Sequence, residues 1–260
     1  FQVENTLLLA DESNLKLELQ LHYHSYPNSG GAFKVQIFSP YIFLNLSQLP
    51  VTIKTRPWAG HARMVAGQES HDDDYDASEQ RKPFLVSRIG ESNNRFLIRS
   101  RDSSWSKPLS FDVIGSEVGV VIPSSSGDRE LHLGLDIQDG LSKFKLSKVV
   151  KLAPRYLIHN KLSHAVLIAE SMGGDPVRIG ADERVPLHWF HVASNKHATL
   201  ALEGSNLEWT APFSIDNIGN VYLRMVRDDE PQHLIQVDVQ IQGPTIFVRL
   251  LPSEGEWPFL

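Results

Sequence analysis

Trp105-Ser106-Lys107-Pro108-Leu109-Ser110-Phe111-Asp112-Val113-Ile114-Gly115 returns later in the chain as Trp209-Thr210-Ala211-Pro212-Phe213-Ser214-Ile215-Asp216-Asn217-Ile218-Gly219. Trp, Pro, Ser, Asp, Ile and Gly recur in register at a spacing of 104 residues (209 − 105). A second pair, Tyr41-Ile42-Phe43-Leu44-Asn45-Leu46 and Tyr156-Leu157-Ile158-His159-Asn160-Lys161, recurs at 115 residues (160 − 45). From Asn to Trp the first copy takes 60 residues (105 − 45) and the second 49 (209 − 160). The longer copy contains the polar stretch 71–82, which includes Asp72-Asp73-Asp74-Tyr75-Asp76 and reads as a solvated loop insertion. Self-similarity at a fixed period is the signature of a repeat architecture. It divides the chain into 1–38, the closing strands of a preceding repeat; 39–152, a first full repeat; and 153–260, a second repeat running into a truncated third. Phe33-Lys34-Val35 echoes Phe144-Lys145-Leu146, and Trp257-Pro258-Phe259-Leu260 reads as the run-up to another unit.

Period-2 alternation fills the units. Leu15, Leu17, Leu19, Leu21 and Tyr23 alternate with Lys16, Glu18, Gln20 and His22; Leu131, Leu133, Leu135 and Ile137 repeat the pattern, as do Ile235, Val237, Val239 and Ile241. Successive strand side chains point to opposite faces, so each run offers one apolar and one wet face. Breakers separate the runs, among them Pro27-Asn28-Ser29-Gly30-Gly31, Asp139-Gly140 and Met172-Gly173-Gly174-Asp175-Pro176. No stretch of 3.6-residue periodicity competes. The expected fold is all-β: tandem antiparallel β-sandwich-like repeats.

Composition narrows the chemistry. The chain has 260 residues, 41% hydrophobic and 22% charged, which suits a folded core. Its net charge of −6 argues against a phosphate-tracking nucleic-acid binder. With no cysteine, disulfides, thiolate metal sites and a Cys nucleophile are excluded. No apolar run has the length of a membrane span. His22 with His24, and His188 with His191, lack the converging ligands of a zinc site, and the acidic stretch lacks the Gly and distal Glu of a calcium loop. Nucleophile elbow and phosphate-loop patterns are absent. No catalytic residue, metal or cofactor is assigned, and the chain is read as non-enzymatic.

The repeated residues carry structural roles. Asn45 and Asn160 interrupt apolar strands, where an amide is costly unless every polar atom is paired. Each is expected to tie an adjoining turn to the sandwich, so that substitution by Ser costs about 1–3 kcal/mol. Asn45-Leu46-Ser47 spells a glycosylation sequon, but Asn160 has no hydroxyl two residues on, so the sequon reads as accidental. Trp105 and Trp209 are expected in the core, given the area an indole buries. Asp112 and Asp216 are expected to pin turns through side-chain-to-backbone bonds.

Pro40-Tyr41-Ile42-Phe43-Leu44-Asn45-Leu46-Ser47-Gln48-Leu49-Pro50-Val51, Ala153-Pro154-Arg155-Tyr156-Leu157-Ile158-His159-Asn160-Lys161-Leu162, Trp209-Thr210-Ala211-Pro212-Phe213-Ser214-Ile215-Asp216 and Gly243-Pro244-Thr245-Ile246-Phe247-Val248 together resemble the adaptor-binding domain of the vacuolar protein sorting thirteen family of bridge-like lipid-transfer proteins. The resemblance implies an array of six units, each with a signature Asn, of which this chain holds about two and a half from the later half. It implies binding of short Pro-x-Pro peptides of membrane adaptors, a cytoplasmic location peripheral to organelle membranes and contact sites, no direct membrane insertion, and a monomer in isolation. A sandwich edge strand beside aromatic pockets suits such a peptide, because proline lacks the donor that a second strand neighbour would need. The residues nominated for the peptide are Tyr156, Leu157 and Ile158 of the second unit's opening strand, with Trp189 and Phe190. The competing readings are a structural spacer holding other domains at fixed geometry, and a lectin-like sandwich with a carboxylate-lined cleft.

Overall fold

The computed structural model describes residues 5–10, 12, 16–56, 74–87, 95–115, 118–204, 208–227 and 230–253. Among them are strands β1 to β22, one 3-10 turn at Ser142–Phe144 and no α-helix. The chain divides into two units: residues 1–118 with 135–153, and residues 119–134 with 154–260. Strand β11 (Arg129–Asp139) is continuous and supplies residues to both.

In the first unit, β4 (Tyr41–Asn45), β5 (Val51–Arg56), β6 (Asp74–Asp76), β7 (Pro83–Val86), β8 (Arg95–Ser100), β9 (Leu109–Ser110) and β12 (Lys148–Pro154) form two sheets. One runs β6-β5-β8-β9; the other runs β7-β4-β12 and continues into β11. Between them lie Phe43, Ile53, Phe96, Ile98 and Phe111, all with no exposed surface. The Phe96 and Phe111 rings stack with centroids 4.1 Å apart. A further sheet, β1-β2-β3 (Thr6–Ala10, Lys16–Ser25, Phe33–Phe38), belongs to the same unit.

The second unit repeats this order. β13 (Tyr156–Asn160), β14 (Val166–Glu170), β15 (Val177–Ile179), β16 (Arg184–Leu187), β18 (His197–Leu202), β19 (Phe213–Ser214), β20 (Gly219–Arg227), β21 (Glu230–Gln242) and β22 (Thr245–Pro252) form the sheets β15-β14-β18-β19 and β16-β13-β22-β21-β20. The hairpin of β10 (Val118–Pro123) and the start of β11 accompanies this unit, and the short β17 (Trp189–His191) pairs with β11. The internal repeat is therefore a repeat of topology. In each copy the first strand pairs in parallel with the last, β4 with β12 and β13 with β22, inside otherwise antiparallel sheets.

Four expectations are corrected. The stretch 71–82 is not a uniformly solvated loop: Asp74–Asp76 is a strand on β5, and Tyr75 is buried at 1% exposure with its hydroxyl donating to the Lys16 carbonyl. Residues 71–73 lie outside the described residues, as does Trp257-Pro258-Phe259-Leu260. The tryptophans are not core residues. Trp209 is 38% exposed, and Trp105 lies half-buried under the Arg99 guanidinium, 4.5 Å from its ring centroid, because flanking cations make a surface seat favourable for an indole. Phe33 opens β3 whereas Phe144 closes a 3-10 turn before β12, so that echo is not a structural equivalence. Lastly, β11 is buried on both faces from Leu131 to Ile137: His132, Gly134 and Asp136 are buried along with the leucines. Gly134 permits this, since a Cβ there would stand 2.5 Å from the Pro244 carbonyl oxygen.

Candidate peptide-binding groove

Each signature Asn sits at the end of its unit's first strand and spends its amide on backbone. Asn45 Nδ2 donates to the carbonyls of Leu49 at 2.9 Å and Ala77 at 2.8 Å, while Oδ1 accepts from the Ser47 N–H at 3.0 Å and hydroxyl at 2.7 Å. Asn160 Nδ2 donates to His164, Ile179 and Gly180 at 2.9, 3.1 and 2.9 Å, and Oδ1 accepts from the Leu162 N–H at 3.0 Å. Both side chains are buried, at 1% and 0% exposure, so neither is available to a ligand or a glycan. The four-residue reach from Asn to a turn carbonyl is the same in both copies.

The turn-closing role expected of Asp112 and Asp216 falls to Ser110 and Ser214, whose hydroxyls accept the Asp112 and Asp216 backbone N–H groups at 3.3 and 3.2 Å, and Asp216 is exposed rather than core. Tyr41 donates its phenol to Asp112, and Tyr156 donates to Asp216 at 2.6 Å, tying the first strand of each unit to the end of its Trp-led segment. Burial, reinforced by the Asp216 carboxylate, pushes the Tyr156 phenol far above its usual range. A hydroxyl follows each Trp and closes a second link: Ser106 accepts from the Ile98 N–H and Thr210 from the Leu200 N–H, at 3.0 and 3.1 Å. Neither link was anticipated. The signal was present, because Tyr and Asp recur together and Ser106 aligns with Thr210.

The residues nominated for the peptide separate into two groups. Tyr156, Leu157 and Ile158 do not lie on an edge: β13 pairs with β16 on one side and with β22 on the other. Tyr156 and Ile158 are core, at 3% and 0% exposure. The nomination fails because the parallel partner, whose position no local pattern reveals, takes the side that was expected to be free. Trp189 and Phe190 are brought together on β17. The Phe190 ring meets Tyr156 at 5.0 Å and stands edge-on to His132 at 5.2 Å, with Lys196 Nζ 4.8 Å from its centroid. Burial holds the His132 imidazole below its usual pKa; the Lys196 charge adds to this, while Glu130 and Asp216 oppose it. Trp189 lines a cavity of about 50 Å³ with Arg129, Val177 and Leu187, and there the Glu170 carboxylate takes the backbone N–H of His191 at 3.1 Å. That space suits a side chain, not a peptide.

The corresponding flank of the first unit is roomier. Strand β7 ends its sheet and, among the described residues, pairs with β4 alone. Along it lie two hollows that share Phe84. One, of about 310 Å³, is bounded by Leu9, Leu17, Tyr75 and Leu85; the other, of about 290 Å³, is bounded by Asn45, Asp76, Glu79, Lys82 and Pro83. Volumes of about 300 Å³ are at the lower end of ligand-binding clefts. Residues 88–94, between β7 and β8 in the sequence, lie outside the described residues. Among the described residues no group of three or more His, Cys, Asp or Glu side chains could hold a metal ion, and no helix is long and apolar enough to cross a membrane.

All 260 residues match the family model described as vacuolar-sorting associated protein 13, adaptor binding domain. The intermembrane lipid transfer protein VPS13 of Chaetomium thermophilum is 38% identical over 262 residues, which is 100% of this chain and 8% of that protein. The intermembrane lipid transfer protein vps13E of Dictyostelium discoideum is 27% identical over 146 residues, 53% of this chain and 3% of its own length. VPS13C of Mus musculus, another intermembrane lipid transfer protein, is 31% identical over 106 residues, 40% of this chain and 2% of its own.

Proposed function

The chain belongs to the family of the vacuolar-sorting associated protein 13 adaptor binding domain, and from that premise we propose that it is a non-enzymatic interaction module that captures Pro-x-Pro segments of membrane adaptors in the groove along β7. By doing so it targets the lipid-transfer protein that carries it to organelle contact sites, from the cytoplasmic side. One observation carries the choice of groove: β7 is an end strand whose flank is hollowed on both sides of a shared aromatic, Phe84. An extended peptide adding to β7 gains main-chain hydrogen bonds along its length, and successive side chains on one face drop into the two hollows. Proline at alternate positions fits, because only every second residue of an added strand donates toward its neighbour. The second unit fits the spacer reading better. Its end strand β16 borders a cavity of only about 50 Å³, lined by Leu187 with the unit's own Trp189 and Phe190.

The test is fluorescence anisotropy with labelled Pro-x-Pro peptides. Saturable binding is expected, weakened at least tenfold by Leu85→Glu, since Leu85 is 45% exposed on β7 and its replacement leaves the core intact. Trp189→Ala should leave the affinity unchanged. Equal loss from Trp189→Ala and none from Leu85→Glu moves the site to the second unit. No binding by the complete array of units removes the peptide reading.

A further inference from the structure

A loop at one end of the first unit exposes apolar side chains that no described part of that unit covers. The connection from β11 to β12 runs from Gly140 to Ser147, whereas the equivalent connection from β21 to β22 is the tight turn Gly243-Pro244. At its tip Leu141 is 81% exposed and Phe144 49% exposed. Lys143 and Lys145 are exposed beside them, and Lys143 Nζ sits 5.0 Å from the Phe144 ring centroid. The loop is built rather than frayed. Gly140 N–H donates to the Ser147 carbonyl at 2.9 Å and Ser147 N–H to the Phe144 carbonyl at 2.8 Å. A Cβ on Gly140 would stand 2.1 Å from the Phe144 oxygen, so only glycine closes the loop this way. Ser142 is held at φ 52°, a conformation non-glycine residues adopt where their surroundings fix it.

The neighbouring loop extends the patch. Gly115 N–H donates to the Ile137 carbonyl at 2.9 Å and Lys148 Nζ to the Asp112 carbonyl, which sets Val113 (59% exposed) and Ile114 (51%) beside β11 and β12. Four apolar side chains on two braced loops, flanked by the exposed Lys143 and Lys145, make an amphipathic tip. The local charge is opposite in sign to that of the whole: with Lys148 paired to Asp112, Asp139 to Ser147 holds two lysines and one aspartate, in a chain of net charge −6.

We propose that this tip docks on an anionic bilayer surface, with Leu141 and Phe144 entering the interface and Lys143 and Lys145 meeting lipid headgroups. Charge complementarity selects this occupant over a neutral face, and the protruding Leu141 and Phe144 select it over a purely acidic one: lysines with long flexible stems beside apolar tips satisfy the headgroup and acyl boundary together. The inference stands apart from the peptide reading and changes the expectation of no direct membrane insertion.

The experiment is flotation of the chain with phosphatidylcholine vesicles, alone or with about a third phosphatidylserine. Binding is expected to the serine-lipid vesicles at low salt and to fall as salt rises. Leu141→Ser with Phe144→Ser should abolish it. Lys143→Gln with Lys145→Gln should weaken it about thirtyfold, roughly fivefold for each lysine near an anionic surface. All four side chains are exposed, so circular dichroism should report unchanged folds. Wild-type chain that ignores serine-lipid vesicles, or binding that persists in both double variants, overturns the proposal. So does patch-dependent self-association without vesicle binding, which would assign the tip to a protein contact.

Discussion

Replacing Asn160 by alanine tests the locking role of the signature amide. The side chain is fully buried and makes four hydrogen bonds. The bond to the Ile179 carbonyl is fully buried, and leaving that acceptor unpaired costs about 1–3 kcal/mol; the other three are partly buried and contribute roughly 0.5–1 kcal/mol each. The loss should be about 3–5 kcal/mol, above the range read from the sequence, because one amide serves four partners rather than one or two. Urea unfolding followed by far-UV circular dichroism is the assay. At roughly 2 kcal/mol per molar for a unit of this size, the midpoint of the second unit should fall by about 2 M. Hydrogen exchange should place the lost protection in β13, β15 and the turn at His164. Asn160→Asp is the sharper control: it keeps shape and one acceptor but turns a carboxylate oxygen toward three carbonyl oxygens. An unchanged midpoint for alanine, or aspartate performing as well as asparagine, would refute the reasoning.

Two further outcomes follow from the same geometry. Tyr156→Phe and Tyr41→Phe should each cost about 1–2 kcal/mol in thermal or urea unfolding, the value of a partly buried phenol–carboxylate bond, and adding Asp216→Asn to the Tyr156 variant should cost little more. His132 should make the second unit acid-sensitive. Its folded pKa lies below the ordinary 6.5, so the unfolded chain takes up the proton first; the stability it contributes is present above pH 6.5 and is lost as pH falls through that value. Phe190, Tyr156, Lys196, Glu130 and Asp216 face the imidazole, and His132→Leu should flatten the fall of the midpoint as pH drops below the ordinary histidine pKa of 6.5. A slope identical to that of the unsubstituted chain would exclude His132 as its source.

Much of the fold was legible because repetition and alternation are local. The Trp-led segments fall on β9 and β19, the Tyr-led runs on β4 and β13, and both asparagines where an amide must be paired. What could not be read is long-range. The parallel partner of β13 lies 90 residues away (246 − 156), and nothing in Tyr156–Asn160 distinguishes an edge from a centre. Tyr75 hides in a run of aspartates, so charge density masked a side chain that anchors β6. Trp105 was assigned to the core on size alone, whereas Arg99 from the adjoining β8 and Lys54 from β5 give its ring a polar seat. The groove is assembled from β1, β2, β6 and β7, whose hollows exist only after the sheets have formed.

The parallel seam has a mechanical consequence. Because the first and last strands of each unit run side by side in the same direction, the chain arrives at one end of the seam and departs from the other. Tension applied along the polypeptide therefore pulls the two strands past each other, straining all the bonds of the seam at once instead of peeling them one by one. Each such module would act as a clasp that stays shut when the polypeptide is pulled from its ends.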